Sequence, residues 1–245
     1  MSDYLFPPPP VKSLPVAGTS ARYPVARVFC VGRNYDEHAA EMGYEVDREK
    51  PFYFLKGPHA VIASGAVTPY PPGTTDYHFE VELVLALARP VFRASREAGT
   101  AAIGWLGTGL DMTRRDLQLS EREKKRPWDL GKNVENSCVL AELSPVESFG
   151  PLAGKAIRLT QNGETRQDAT LDELVWKPDE IVAHLSHYYH LGPGDLIMTG
   201  TPAGVGAGFD PPKWLKAGDR VRVEIDGLGY IENQIVTEPG QTVIG

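Results

Sequence analysis

Two glutamates separated by one residue begin an apolar run, in the segment His78-Phe-Glu80-Val-Glu82-Leu-Val-Leu-Ala-Leu. Side chains alternate across a β-strand, so Glu80 and Glu82 project from the same face. Two carboxylates held close together in an apolar setting repel each other, and burying them without a counter-charge is costly. A divalent cation would offset that cost, whereas a solvent-facing pair on a sheet edge would need none. The pair alone leaves both interpretations open.

Asp111 adds a third carboxylate, because it follows the apolar segment 103–110 and precedes the start of a helix. Few basic residues lie near the three carboxylates in the sequence, and no cysteine does. This donor set favours a hard cation, Mg²⁺ or Mn²⁺. Asp111 could instead cap the following helix. His78 shares the face of the two glutamates, and as a ligand it would shift the preference toward Mn²⁺, Fe²⁺ or Zn²⁺. We interpret it as a structural or supporting residue.

The elements that must position these carboxylates are mostly strands. Asn162-Gly163 lies between two predicted strands, at 157–161 and 164–169, and predicts a two-residue hairpin. A second hairpin is predicted around Asp226-Gly227, between strands at 220–225 and 230–236. Neither an internal repeat nor a regular βα alternation is present, so the pattern predicts an α+β, β-rich fold. The other strands are predicted at residues 25–31, 52–55, 78–88, 103–110 and 196–198, and helices at 35–42 (after an Asn34 cap), 113–125 and 178–190.

Composition narrows the class of protein. The chain has 245 residues, of which 42% are hydrophobic, and a net charge of −7, which disfavours nucleic-acid binding. No apolar run is long enough to span a membrane, and only Cys30 and Cys138 are present, so we expect a reducing, cytoplasmic location without disulfides. Residues 1–22, with prolines at 7–10, predict an extended arm, and residues 23–245 a single domain.

Six further segments carry a family resemblance. Together they resemble the fumarylacetoacetate hydrolase family, and within it the short bacterial fumarylpyruvate hydrolases and related acylpyruvases. Each segment is weak alone, but the ordered set over residues 24–237 is specific. In order, they are Val31-Gly-Arg-Asn-Tyr-Asp-Glu-His-Ala-Ala-Glu-Met42, Phe54-Leu-Lys56, Glu80-Val-Glu82, Leu110-Asp-Met-Thr-Arg-Arg-Asp-Leu-Gln118, Pro127-Trp128 with Lys132, and Thr199-Gly-Thr-Pro-Ala-Gly-Val-Gly206.

The resemblance implies a mixed β-roll or sandwich, usually dimeric, in which Glu80, Glu82 and Asp111 bind Mg²⁺ or Mn²⁺. It also implies that His38 and Glu41, one helical turn apart, activate water. Without the resemblance, this histidine is typical of a protein surface.

The same resemblance assigns Lys132 to the stabilisation of developing negative charge and Thr201 to binding of the substrate carboxylate. Taken alone, a single lysine is usually solvated and the Gly-rich loop around Thr201 is a simple turn. The resemblance also places four residues near the substrate, each of which could instead form surface or structural pairs: Arg33, Lys56, Arg115 and Gln118.

The implied reaction is hydrolysis of a carbon–carbon bond in a 2,4-dioxo acid, such as fumarylpyruvate, with the metal as Lewis acid. One departure from the family pattern follows Lys132, where Val134 replaces an aromatic residue and Val139 a proline. Two alternatives therefore stay open. One is decarboxylation of oxaloacetate, or isomerisation of a 2-oxo acid, through the same enolate. The other is a non-catalytic, metal-stabilised protein.

Overall fold

Two large β-sheets and two small two-stranded ones, β1-β2 and β7-β10, build the fold of residues 4–237, which the computed structural model describes. The helices are α1 (Asp36–Glu41), α2 (Arg96–Ala102), α3 (Arg115–Glu123), α4 (Asp129–Lys132), α5 (Val146–Phe149) and α6 (Pro178–Ser186). The strands are β1 (Ser13–Pro15), β2 (Arg22–Pro24), β3 (Arg27–Gly32), β4 (Phe52–Lys56), β5 (Val61–Ala63), β6 (Thr68–Pro69), β7 (Tyr77–His78), β8 (Val81–Leu87), β9 (Ile103–Asp111), β10 (Thr113–Arg114), β11 (Cys138–Leu140), β12 (Ser144–Pro145), β13 (Ala156–Gln161), β14 (Glu164–Thr170), β15 (Asp195–Met198), β16 (Arg220–Ile225) and β17 (Ile231–Val236).

The larger sheet has the order β4-β3-β15-β8-β9-β11-β5, with β12 also paired to β9, and the smaller has the order β14-β13-β16-β17-β6. Every residue of β8 is buried, which explains its nearly continuous apolar sequence. Leu83 and Leu85 contribute to the core shared with the smaller sheet, which contains Leu159 and Val223. Strand alternation therefore directs Glu82 to the opposite face of the larger sheet.

That opposite face carries a second apolar cluster, which includes part of the predicted arm. Strand β1 pairs with β2, and Leu14 and Tyr23 pack with Val84 and Met198. Residues 4–12 form neither helix nor strand. Among the described residues, packing against the larger sheet therefore begins at β1. In the β1-β2 hairpin, Leu14 and Tyr23 each lie between polar or proline residues and face the sheet.

Most predicted elements are present, with boundaries shifted by a few residues. The Asn162-Gly163 hairpin is confirmed, with φ values of 54° and 82° that suit a two-residue turn. Helix α3 begins at Arg115 instead of 113, because Thr113 pairs with His78 between β10 and β7. Asn34 does not cap α1. Its side chain joins the backbone of Trp176 to that of Thr199.

The fold class predicted from the sequence is confirmed: the architecture is β-rich, with a curled larger sheet and few helices. None of the helices within residues 4–237 has the length and apolar character needed to cross a membrane.

Candidate active site

The three predicted carboxylates converge at one end of strands β8 and β9. These strands are antiparallel neighbours, with Glu82 opposite Gly109, and the backbone N–H of Asp111 donates to the carbonyl of Glu80 at 2.8 Å. One oxygen each of Glu80, Glu82 and Asp111 lies within 4.8 Å of the others, and all three residues are buried. The pairing of the two strands, not the spacing of the glutamates alone, thus creates the cluster.

Three buried cations surround the cluster, which corrects the sequence-based view that few basic residues neutralise it. Lys132 Nζ lies 2.6 Å from Glu80 Oε2 and 2.7 Å from Asp111 Oδ2. Arg115 pairs with Glu80 Oε1, and Lys56 Nζ lies 2.8 Å from Asp111 Oδ1. Two of these cations come from distant parts of the chain, on β4 and α4, so local sequence could not reveal the neutralisation.

The three cations pair with Glu80 and Asp111. Within residues 4–237 no basic side chain lies within 4.0 Å of the Glu82 carboxylate, and only the backbone N–H of Gly200 donates to it, at 2.8 Å. Burial, followed by the charges of Asp111 and Glu80, raises the pKa of Glu82 well above its usual value. Burial alone would also raise the pKa of Glu80, but Lys132 and Arg115 hold it well below the usual value.

The arrangement fits a divalent cation. Asp111 Oδ1 is buried and accepts no hydrogen bond, although Lys56 Nζ is close. Lys56 instead donates to the carbonyl of Met112 at 3.1 Å, to Ser137 Oγ at 2.8 Å and to the carbonyl of Lys132. A buried carboxylate oxygen that accepts no hydrogen bond, beside a glutamate that pairs with no basic side chain of residues 4–237, leaves negative charge incompletely stabilised. A hard, oxygen-binding cation would satisfy both.

His78 supports the cluster from outside. Burial, together with the nearby charge of Arg115, lowers the pKa of His78 to about 3, so the ring is neutral. Arg115 Nε donates to its Nδ1 at 3.1 Å, while that nitrogen lies 3.8 Å from Glu80 Oε1. The ring thus orients the guanidinium that neutralises Glu80.

His38 and Glu41 lie close together on α1, as their spacing predicts. His38 Nδ1 is 3.1 Å from Glu41 Oε2, and the backbone N–H of Gly204 donates to the other carboxylate oxygen at 3.0 Å. The His38 side chain is mostly buried and faces the same pocket as Glu80. Glu41 therefore fixes one ring nitrogen and leaves the other free for proton transfer.

Gly208 lies against Glu41 of the His38–Glu41 pair, which we call the dyad, so a substitution of this glycine tests the role of the pair. A Cβ at this position would overlap the carboxylate of Glu41. We expect Gly208→Ala to displace Glu41 from His38 and to lower kcat about 10-fold or more, because a misplaced base loses much of its effect. Gly229→Ala is the matched control, since its new Cβ would make ordinary contacts at 3.6 Å. Unchanged turnover by the Gly208 variant would contradict this positioning of Glu41.

His38, Glu80 and Lys132 line one cavity, which we call the inner pocket. Three of the five residues predicted near the substrate line it, namely Arg33, Arg115 and Gln118, whereas Lys56 and Thr201 do not. Lys56 stands behind Asp111, and the Thr201 hydroxyl accepts a hydrogen bond from Gln167 Nε2 at 2.7 Å. The lining is Gly32, Arg33, His38, Ala39, Met42, Tyr44, Phe54, Glu80, Arg115, Gln118, Arg122, Trp128 and Lys132.

Several residues of this site are not singled out by sequence patterns. Gln167 accepts a hydrogen bond from the N–H of Val81 at 3.0 Å and links the start of β8 to the Thr201 loop. It lies on β14, where every residue except Ala169 is polar, so its burial carries no sequence signal. The Phe54 ring lies 5.0 Å from Lys132 Nζ, and only its alternation with Lys56 hinted at a packed position.

The unusual segment after Lys132 leaves the inner pocket unaltered. Val134 and Val139 are both buried, and neither lines the pocket. Ser137 in the same segment positions Lys56 instead. The substituted residues therefore lie in the packed interior, which removes the one sequence feature that favoured a non-catalytic protein.

Lys132 also offers a stability test. Replacing it with methionine would leave Glu80 and Asp111 partly uncompensated in a buried site. We expect Lys132→Met to lower the free energy of unfolding of the metal-free protein by about 3–5 kcal/mol, as for other broken buried pairs. Added Mn²⁺ should restore part of this loss. Chemical denaturation would measure both values, with exposed Lys216→Met as the control; a loss equal to that of the control would refute the buried pairing.

Residues 27–236 match the family described as Fumarylacetoacetate (FAA) hydrolase C-terminal. The chain belongs to the fumarylacetoacetate hydrolase family, as its motifs predicted. It is 47% identical to a fumarylpyruvate hydrolase from Ralstonia sp over 192 residues, which are 78% of this chain and 96% of the relative. It is also 35% identical to oxaloacetate tautomerase YcgM from Escherichia coli (strain K12), over 86% of this chain and 93% of the relative.

The fold is also similar to that of a related protein of known crystal structure. Fumarylpyruvate hydrolase from Pseudomonas aeruginosa in complex with Mn²⁺ and pyruvate is similar with a TM-score of 0.89 and 40% identity. The match covers 96% of this chain and 100% of that chain. The predictions of an enzyme of this family and of homology to fumarylpyruvate hydrolase are confirmed.

Proposed function

We propose that the protein is a divalent-metal-dependent hydrolase that cleaves the carbon–carbon bond of an acylpyruvate, with fumarylpyruvate as the best candidate. The products would be fumarate and pyruvate. One observation carries the proposal: His38, held by Glu41, faces the same inner pocket as Glu80 of the carboxylate cluster. Hydrolysis needs a base that activates water and a site that binds the 2-oxo acid, and the proposal assigns both to this pocket.

The residues divide the reaction between them. A divalent cation bound by Glu80, Glu82 and Asp111 supplies Lewis acidity to the 2-oxo acid. His38 Nε2 accepts the proton of the attacking water, while Glu41 holds Nδ1 and stabilises the charged ring. Lys132 Nζ would stabilise the negative charge that develops on the pyruvate half as the bond breaks, and Arg115 and Gln118 line the same pocket.

The metal, the oligomeric state, the location and the pathway are proposed on the basis of the family likeness. We propose Mn²⁺ or Mg²⁺ as the metal, supported by the all-carboxylate ligand set and by Mn²⁺ in the related crystal structure. A homodimeric state, a cytoplasmic location and a place in aromatic catabolism through gentisate are further proposals that rest on that likeness. We also propose that the substrate lies near Arg33, Arg115 and Gln118. Lys56 and Thr201, which do not line the inner pocket, would position other groups of the site.

A second candidate function is tautomerisation of oxaloacetate, the activity named for relatives such as the Escherichia coli protein. Proton transfer at a 2-oxo acid would use the carboxylate cluster, Lys132 and a base, for which His38 is available, but no attacking water. Decarboxylation would need the cluster and Lys132 without a base. The pair His38–Glu41 therefore favours hydrolysis over decarboxylation, and the products distinguish hydrolysis from tautomerisation.

A product assay distinguishes the candidates. Purified protein with Mn²⁺ or Mg²⁺ would be given fumarylpyruvate, acetylpyruvate or oxaloacetate, and released pyruvate would be measured along with the enol and keto forms of oxaloacetate. We expect pyruvate from the acylpyruvates, and none after chelation of the metal. Oxaloacetate turnover without acylpyruvate cleavage would overturn the proposed hydrolase.

A further inference from the structure

A second cavity of about 450 Å³, the outer pocket, adjoins the inner one. The two share part of one wall, including Arg33, Arg122 and Trp128. The outer pocket is strongly cationic, because Lys50, Lys125 and Arg126 also line it and Asp47 is its one carboxylate among the described residues. A ligand that extends out of the inner pocket would therefore meet positive charge.

Arg33 and Arg122 face a single aromatic ring. Their guanidinium carbons lie 4.1 Å and 4.8 Å from the ring centroid of Tyr44. Both side chains are half-buried, and in the described part of the chain neither forms an ion pair. Two like charges at one ring repel each other, and partial burial weakens their screening by water. An anion between or beside them would relieve this repulsion.

The length of α3 between Arg115, which pairs with the cluster, and Arg122 is comparable to the length of a substrate with a carboxylate at each end. Arg115, Gln118 and Arg122 are spaced three and four residues apart on α3 and line one face. Arg115 pairs with Glu80 at the cluster, and Arg122 lies two turns further out, about 10 Å along the helix. Six carbon–carbon bonds of about 1.5 Å separate the end carboxylates of fumarylpyruvate, an extended span of roughly 7–8 Å.

We propose that Arg122 and Arg33, which both contact the ring of Tyr44, bind a second carboxylate at the far end of the acyl group. The protein would then select dianionic acylpyruvates over those with a neutral acyl group. This inference rests on the proposed hydrolase function and names its substrate class. Guanidinium groups suit the role because they bind carboxylates through two parallel hydrogen bonds.

The test compares two substrates with one variant. We expect Arg122→Gln to lower the ratio of kcat/KM for fumarylpyruvate to that for acetylpyruvate about 10- to 100-fold, as for loss of a charged hydrogen bond. Arg33→Gln should act in the same direction. Lys124→Gln is the control, because it removes a charge at the same helix end, away from both pockets. An unchanged ratio in both arginine variants, or an equal change in the control, would overturn the proposal.

A binding measurement separates this inference from the proposed function. Calorimetric titration of the Mn²⁺-loaded protein with fumarate and with pyruvate requires no turnover. We expect Arg122→Gln to weaken fumarate binding at least 10-fold and to leave pyruvate affinity within about twofold. Parallel losses for both ligands would refute the second carboxylate site, even where wild-type hydrolysis is observed. If wild type cleaves neither acylpyruvate, the hydrolase proposal fails and this titration alone decides the site.

Discussion

Replacement of Glu82 by alanine is expected to abolish metal-dependent turnover while the fold is retained. Glu82 is the member of the cluster that pairs with no basic side chain of residues 4–237, so its carboxylate gains most from a bound metal. Its neighbours on β8 hold the strand in place through the two apolar clusters. We expect kcat to fall to background and Mn²⁺ to produce no thermal stabilisation, since binding to the native state would be lost.

Glu82→Gln provides a sharper form of the same prediction. The pKa of Glu82 is raised on folding, so its charged form opposes folding at pH values above the unfolded pKa of about 4.3. The metal-free glutamine variant should therefore be more stable than wild type at pH 7, and the difference should grow as pH rises from 4.3 toward the folded pKa. With Mn²⁺ the order should reverse. Exposed Glu135→Ala is the control, and retention of metal-dependent turnover by either Glu82 variant would refute the site.

Replacement of His38 by alanine is expected to lower acylpyruvate hydrolysis by about 10²–10⁴-fold, the usual cost of losing a general base. His38 contacts Glu41 and lines the inner pocket, but it is not among the clustered metal-binding groups. Metal affinity, measured by calorimetry with Mn²⁺, should therefore stay within about threefold of wild type. His187→Ala, at an exposed histidine, is the matched control.

The same variant separates hydrolysis from decarboxylation. Decarboxylation of oxaloacetate involves no attacking water and removes no proton from the substrate carbon, so this activity should fall far less than hydrolysis. The ratio of acylpyruvate hydrolysis to oxaloacetate decarboxylation is the quantity to measure. An equal loss of both activities, or loss of Mn²⁺ binding, would contradict the role of His38 in water attack.

The sequence by itself determined the local features of this protein. Alternation along β8 directed Glu80 and Glu82 to one side, and Asn162-Gly163 fixed a hairpin because both residues tolerate positive φ. The spacing of His38 and Glu41 allowed contact within one helical turn. Each of these features depends on residues within four positions of each other, where backbone geometry alone sets the outcome. The family resemblance added roles for Lys132 and Arg115 that no local pattern carries.

Only the tertiary structure decided which charges meet. Lys56 from β4 and Lys132 from α4 reach Asp111 on β9, and Gln167 from β14 reaches Thr201. The packing also leaves Glu82 as the carboxylate that pairs with no basic side chain of residues 4–237, and it places Arg122 on the same face as Arg115. Such contacts join segments far apart in the chain and depend on how both sheets pack. Since the energy of a charge depends on its burial and on every nearby partner, sequence spacing cannot supply it.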